Sequence, residues 1–329
     1  MMDFDKLFES FPAIKIGVIG DVMLDTYWWG HVERISPEAP VPIVTLDKRE
    51  YRIGGAGNVA LNLASLGSQV TVFSVIGQDD DGQVLTGLLG KEQIDTRYLL
   101  KSPTRMTTNK ARIISKNQQM LRLDSETTKD LSAADENKVL QHLQTFIEEE
   151  KPRVIIFEDY NKGVLTSRVI ESVITLCREN RVLTAVDPKR KHFFSYAGVD
   201  IFKPNLAEVK EGLNMLLEQV NLPVLKDIHA KLAEKLHHRI SFITLSEKGV
   251  FFQYDQDARI IPSHVRNIAD VSGAGDTVIA VASLLYAATA DVKLMAQVAN
   301  IAGGLVCEEV GTVAIDKLRL LKECKLLLS

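Results

Sequence analysis

The sequence predicts a doubly wound α/β domain, a mostly parallel sheet with helices on both faces and a small β-sheet lid projecting from it. Three observations carry this expectation. Short apolar, β-branched runs alternate with helical patterns; those runs are continuously apolar, as strands buried on both faces are; and two polar, β-rich segments break the rhythm with no helix between their halves. The apolar runs are AIKIGVIG (13–20), QVTVFSVIG (69–77), RVIIFED (153–159), RVLTAVDP (181–188), DIFKPN (200–205) and SFITLS (241–246).

Between the third and earlier runs, LSAADENKVLQHLQTFIEEE sets Val139, Leu140, Leu143, Phe146 and Ile147 on one helical face after a Ser132-x-x-Asp135 start signal. That helix is expected to cover the sheet. The two irregular segments are VPIVTLDKREYRI (41–53) and TNKARIISKNQQMLRLD (108–124), read together as the lid. No Pro-, Gly- or Ser-rich linker, fixed-period repeat or low-complexity tract divides the chain, so residues 1–329 are expected to form one domain with the lid inserted in it.

The composition narrows the function classes. At 46% hydrophobic and 25% charged, the 329 residues suit a soluble globular protein with a sizeable core. With 39 basic against 43 acidic side chains the formal charge is −4, which gives no basic field for nucleic acid. Cys177, Cys307 and Cys324 lie far apart with no CxxC pair, as expected of buried thiols in a reduced compartment. The N-terminal stretch lacks the marks of a signal peptide, and no apolar run is long enough to cross a bilayer. A cytoplasmic protein with no membrane and no nucleic-acid partner is the expectation.

Two glycine clusters carry the chemistry. GGAGNVALNLASLG (54–67) contains Gly55-x-Gly57-x-x-Ala60 followed by a helix, a strand and Asp79, a superficial match to a dinucleotide fingerprint. An NAD-dependent oxidoreductase is therefore a competitor. The fingerprint needs a buried strand before its glycines, however, whereas KREYRI is charged. The alternative is that Gly54, Gly55 and Gly57 let backbone approach a small polar ligand, a polyol such as a sugar, with Asn58 offering both a donor and an acceptor. A tight turn capping a packed helix is the plain reading.

In DVSGAGDTVIAVASLLYAA the long apolar run after Asp276 predicts a buried helix, so Gly273, Ala274 and Gly275 form a turn that aims free N–H groups outward. Those groups and the helix dipole make an anion hole without a lysine. GLLGKE (87–92) lacks the spacing and hydroxyl of a P-loop. Asp276 could cap the helix and nothing more. Otherwise it is a general base, taking the proton of a hydroxyl that attacks a phosphoryl group held by those N–H groups. The aspartates 79–81 open a helical segment and read as caps rather than a metal cluster.

At these residues the sequence resembles the ribokinase-like, or PfkB, carbohydrate kinases over nearly its whole length. GGAGN is similar to the family's sugar-side signature and DVSGAGDT to its C-terminal signature with the catalytic aspartate, here Asp276. The resemblance implies further residues. Asn205 and Glu208 in KPNLAEV match an N-x-x-E motif that organises Mg²⁺ and the ATP phosphates through water; Ser246, Lys248 and Gly249 in TLSEKGV, and Asn300 in VANIAGG, match nucleotide-side positions; and a potassium-type ion (K⁺) is implied near Asp270 and Ser272 and the loop from Val306 to Gly311. It also implies a homodimer formed through the lids.

Closer still, GDVMLDTYWWGHVERISPEAPVPIV, ISKNQQMLRLD, FEDYNKGVLT and VDPKRK are similar to the bacterial D-glycero-β-D-manno-heptose 7-phosphate kinases, as a stand-alone form of the kinase half of a two-domain enzyme. The implied reaction carries the γ-phosphoryl of ATP to the anomeric hydroxyl, giving the 1,7-bisphosphate used for ADP-heptose and lipopolysaccharide. A kinase for another sugar or sugar phosphate is the alternative within the family, and a non-catalytic sugar-phosphate sensor lies outside it. Met23 stands where ribokinase proper has an asparagine, two residues before Asp25, which is expected to accept sugar hydroxyls at the end of the first strand. A substrate that already carries phosphate needs cations, and Lys110, Arg112, Arg122 and Lys189 are the expected group. Trp28 and Trp29 are expected to stack on substrate or to pack the lid hinge.

Overall fold

Continuous apolar runs become the inner strands of a large sheet because β-branched and aromatic side chains fill both of its faces. The structure is a computed structural model and describes residues 2–116, 118–217 and 219–328. Its strands are β1 (Lys15–Gly20), β2 (Val22–Ile35), β3 (Pro42–Gly55), β4 (Gln69–Gly77), β5 (Leu99–Ser102), β6 (Asn109–Ser115), β7 (Gln118–Ser125), β8 (Val154–Glu158), β9 (Leu183–Asp187), β10 (Ile201–Phe202), β11 (Ile240–Thr244), β12 (Val250–Tyr254) and β13 (Asp257–Ile261). The helices are α1 (Phe4–Ser10), α2 (Ala56–Ser65), α3 (Asp80–Lys91), α4 (Ala133–Glu150), α5 (Ser167–Glu179), α6 (Leu206–Gly212), α7 (Leu222–Leu236), α8 (Ala274–Thr289), α9 (Val292–Val306) and α10 (Lys317–Leu328).

Nine strands form the large sheet in the order β13-β12-β11-β10-β9-β8-β1-β4-β5. Pairing is parallel from β11 to β5, and β12 and β13 extend the sheet antiparallel. One apolar core packs α1, α2, α3, α8, α9 and α10 on one face, and a second packs α4, α5, α6 and α7 on the other. Every residue of α8 from Asp276 to Ala287 is buried, which is why its sequence is apolar all round. The winding reverses between β1 and β8, and in such sheets ligands bind beyond the carboxyl ends of the strands at that reversal. Here those ends are Gly20-Asp21 and Glu158-Asp159.

A second sheet has the order β3-β2-β6-β7. The two expected lid segments are β3 and the β6–β7 hairpin, and β2 joins them, antiparallel to β3 and parallel to β6. Asp25 therefore does not end the first strand. That strand stops at Gly20, and Asp25 lies inside β2, since the chain passes through Asp21 straight into fourteen residues whose mixed polarity hides their strand character. The expected run at 200–205 shortens to the two residues of β10, after which Asn205 caps α6. Ser132 caps α4 by accepting from the Asp135 N–H, and Val139, Leu143, Phe146 and Ile147 are buried while Leu140 is partly so. No helix among the described residues is long and apolar enough to cross a membrane.

Asp79 caps α3, with Asp80 and Asp81 in its first turn. Its carboxylate accepts from the Gly82 N–H at 2.8 Å and from the Thr107 N–H and hydroxyl at 2.8 and 2.6 Å, tying α3 to the segment that enters β6. Burial pushes its pKa up, but the Thr107 and Gly82 bonds outweigh burial and hold it below the ordinary value. A depressed folded pKa contributes stability that is present above the unfolded value of about 3.9 and is lost as pH falls through the folded value. Urea unfolding of Asp79→Ala across pH is expected to show a loss of about 1 to 2 kcal/mol at neutral pH, shrinking below about pH 4.

Candidate active site

The turn before α8 is built on Gly273, which takes φ 77° and caps the helix with no side-chain bond. A Cβ there would lie 2.8 Å from the Asn58 amide nitrogen, so both conformation and space call for glycine. The Ala274 N–H is engaged by the Val271 carbonyl at 3.3 Å. The N–H groups of Gly273, Gly275 and Asp276 have no acceptor among the described residues, so these three are the free donors of the turn.

Asp276 does not cap its own helix. Its Oδ2 accepts from Asn58 Nδ2 at 2.7 Å and its Oδ1 from the Tyr160 hydroxyl at 2.8 Å. It is 4% exposed, and burial pushes its pKa up to about 6 against the lowering pull of Asn58 and Tyr160. Asn58 is held in turn by Asn62, whose Nδ2 donates to the Asn58 carbonyl at 2.8 Å and whose Oδ1 accepts from Thr277 and from the Ile315 N–H, both at 3.0 Å. A polar ladder thus joins α2 to α8.

Two further buried carboxylates sit beside Asp276, Glu158 at the end of β8 and Asp187 at the end of β9. One oxygen from each of Glu158, Asp187 and Asp276 lies within 4.8 Å of the others. Lys203, 2% exposed, pairs with Asp187 at 2.9 Å, and Lys189 pairs with Asp187 at 3.4 Å and Glu208 at 2.6 Å. Burial raises Asp187, but Lys189 and Lys203 pull it below the usual carboxylate value. Glu158 is pushed well above its ordinary value by burial and by Asp187 and Asp276, and neither of its oxygens has a hydrogen-bond partner among the described residues. These are hard oxygen donors, with unpartnered buried atoms among them, and they fit a divalent cation such as Mg²⁺.

The sugar-side residues gather next to this cluster. Asp25, 5% exposed, is paired with Arg112 at 2.5 Å and faces Lys110 across the β2–β6 pairing. Gly54 lies so close that a Cβ would meet Asp25 Oδ2 at 2.3 Å, while Gly55, at φ 58°, starts α2 and leads to Asn58. Lys110 has no ion pair with a carboxylate among the described residues, and its ammonium lies 5.4 Å from the Tyr160 ring centroid. Burial lowers its pKa, the mark of a cation held without full compensation. Arg122, by contrast, is on exposed β7 and pairs with Asp124, and Lys189 is already bound to acids. Trp28 packs under Arg49 and Trp29 stacks on Tyr27 within the small sheet.

Asn205 and Glu208 close a reciprocal capping box at the start of α6, with bonds of 2.9 and 2.8 Å. Ser246 and Lys248 are exposed in a turn ending at buried Gly249, and Asn300 donates to the Pro262 carbonyl at 2.8 Å from α9. Asp270 accepts from the Ser272 N–H and hydroxyl and from the Gly311 N–H, which draws the loop after α9 against the segment before α8. Sequence reasoning missed Glu158, Tyr160, Asp187 and Lys203 as site residues. The available signals were their place at or near the carboxyl ends of apolar runs, where α/β sheets bind ligands, and, for Glu158, Tyr160 and Asp187, the stretches FEDYNKGVLT and VDPKRK.

Residues 13–318 match the pfkB family of carbohydrate kinases. The chain belongs to this family and is a sugar kinase. It is 40% identical over 310 residues to the bifunctional protein HldE of Aliarcobacter butzleri, covering 92% of this chain and 63% of that one. It is 39% identical over 317 residues to HldE of Geotalea uraniireducens, covering 95% and 64%. The kinase thus spans a little under two thirds of the length of these curated relatives. Phosphofructokinase-2 of Escherichia coli in complex with potassium superposes with a TM-score of 0.78 at 15% identity, covering 95% of this chain and 99% of that one. Ribokinase of Arabidopsis thaliana complexed with ribose and ATP gives 0.72 at 16%, covering 94% and 99%. The fold is ribokinase-like. The oxidoreductase reading falls, because the 55–60 glycines follow β3 of the small sheet and not a strand of the large one.

The loop that carries Tyr160 is pinned by Asp21, 2% exposed, which accepts the N–H groups of Tyr160 and Lys162 at 3.0 Å and of Val164 at 3.1 Å. Asp21→Ala leaves these donors unpaired and is expected to lower unfolding free energy by about 3 kcal/mol or more in urea titration. A loss under about 1 kcal/mol would show that the loop is held by something else.

Proposed function

We propose that this kinase transfers the γ-phosphoryl of ATP to the anomeric hydroxyl of D-glycero-β-D-manno-heptose 7-phosphate, giving the 1,7-bisphosphate for ADP-heptose and lipopolysaccharide synthesis. The observation that carries the reading is the Asn58–Asp276 bond at 2.7 Å, which joins the sugar-side glycine segment to the anion turn at one carboxylate. Asp276, whose pKa burial sets near 6, is the general base. As it takes the proton, the sugar oxygen bonds to the γ-phosphorus, the bond from that phosphorus to the bridging oxygen breaks, and ADP leaves with the electron pair. The Gly273, Gly275 and Asp276 N–H groups, with Ala274 in the same turn, face the charge that develops on the phosphoryl oxygens.

Asp25 and Asn58 orient the sugar hydroxyls, with Gly54 and Gly55 admitting the ring. Lys110 leads the cations for the 7-phosphate, with Arg112 beside it and Arg122 and Lys189 further members of the group. Ser246, Lys248, Gly249 and Asn300 line the nucleotide side. Asn205 and Glu208 would hold Mg²⁺ through water, with Glu158 and with Asp187, joined to Glu208 through Lys189, as further oxygen donors, and the ion supplies charge neutralisation on the phosphates when bound. A monovalent cation near Asp270 and Ser272, closure of the small sheet as a lid inserted in one kinase domain, a cytoplasmic site of action and a homodimer through the lids complete the proposal. The exposed Leu46, Tyr51, Met120, Leu121 and Leu123 of the small sheet support the dimer. The HldE relatives, with which the kinase aligns along nearly its whole length, support the heptose substrate.

ADP release from Mg-ATP across sugars and sugar phosphates, including both heptose 7-phosphate anomers, tests the substrate. The β-anomer is expected to lead, and Asp276→Asn to lose about 10²-fold or more. Turnover led by another sugar would keep the kinase and discard the heptose. The base must be ionised to accept a proton, so kcat/KM is expected to fall about tenfold per unit below the Asp276 pKa of about 6. Lys110→Ala is expected to raise KM for the phosphorylated sugar by about tenfold or more, the scale of one charge-assisted bond, with a smaller change in kcat. An unchanged KM would remove Lys110 from the phosphate pocket.

A further inference from the structure

Tyr160 lies just past the end of β8, and its hydroxyl donates to Asp276 Oδ1 at 2.8 Å while Asn58 holds Oδ2. The phenol O–H is the donor in that bond, since a carboxylate oxygen can only accept. The Tyr160 backbone is fixed to Asp21. Among the described residues the side chain's polar tether is the bond to Asp276 alone, which leaves the phenol, rather than the loop, free to exchange partners. The ammonium groups of Lys110 and Lys189 lie 5.4 and 5.6 Å from its ring centroid.

A base placed beside a phosphoryl donor faces a competing nucleophile. Water could give its proton to Asp276 while its oxygen bonds to the γ-phosphorus; the bond to the bridging oxygen would break, ADP would leave with the electron pair, and phosphate would be released. We propose that Tyr160 discriminates between acceptor and water, its hydroxyl occupying Oδ1 of the base until a sugar hydroxyl takes that place, so that ATP is not hydrolysed in a site without acceptor. Lys110 couples the exchange to the substrate. Of the two cations beside the ring, Lys189 is held by Asp187 and Glu208, so Lys110 is the one a bound phosphate draws away as the hydroxyl arrives. Tyr160 is thus a positioning residue acting through Asp276, and the inference rests on the reading of Asp276 as base.

The full chain with Mg-ATP provides the test. ADP release without acceptor and phosphoryl transfer with heptose 7-phosphate are measured for wild type, Tyr160→Phe, Asp276→Asn and the double variant. Phenylalanine keeps the ring and its cation contacts, and thermal melting checks the fold. The expected result is that Tyr160→Phe raises the ratio of acceptor-free release to transfer by at least about tenfold, a part of what a positioned base supplies. Asp276→Asn in the same chain is expected to abolish the added release. An unchanged ratio, both activities falling together, or added release that survives in the double variant overturns the inference while leaving the kinase reading intact. Full transfer by Asp276→Asn alone overturns the base assignment, and the inference with it.

Discussion

The hydrogen bond between Asn58 and Asp276 joins residues 218 positions apart, and the arrangement of the site depends on it. Asn58 is fully buried and Asp276 nearly so, so neither can exchange this bond for water without moving the helix that carries it. α2 and α8 are consequently fixed against each other at their N-termini, with Asn62, one turn further along α2, and Thr277, next to Asp276, forming a second rung. That packing sets the α8 turn against Asn58, four residues after Gly54, the glycine that borders Asp25. In the proposed reaction the sugar side and the phosphoryl side meet here, because two helix starts are locked together over the reversal point of the sheet.

The same constraint explains the charge pattern. Glu158, Asp187, Asp276 and Glu208 would repel one another in a buried crevice, and the structure answers with Lys189 and Lys203 and by keeping Glu158 above its ordinary pKa. A buried ionic group of this kind contributes little net stability, since desolvation consumes most of the attraction. Its value lies in fixed dipoles and charges that need not reorganise during reaction. Lys203, nearly inaccessible and bound to Asp187, belongs to the scaffold of that field, whereas Lys110, with no ion pair among the described residues, is a cation with attraction to spare.

Much of this was legible in the sequence. The apolar runs at 13–20, 69–77, 153–159, 181–188 and 241–246 are strands of the large sheet, because burial on both faces leaves a signal that needs no partner to interpret. The turn at 273–276 and the caps at Ser132 and Asp79 were legible for a similar reason, since their hydrogen bonds are local. β2 was not, because its residues take their character from β3 and β6, which lie well along the chain, and so Asp25 was placed on the wrong strand. Glu158, Tyr160, Asp187 and Lys203 were hidden for the same reason. Each acquires its chemistry from neighbours that only the sheet order supplies, and an acid at the end of an apolar run looks like any strand terminus.

The central claim is that Asn58 and Asp276 act as one unit, and a double-mutant cycle on kcat/KM with Asn58→Ala, Asp276→Asn and both together tests it most directly. If the bond orients the base, the two single losses should each be large and the double variant should lose little more than Asp276→Asn alone, a coupling of about 1 kcal/mol or more. Losses that simply add would mean that Asn58 and Asp276 work independently, and the bond that joins the two halves of the site would be a packing contact with no part in transfer.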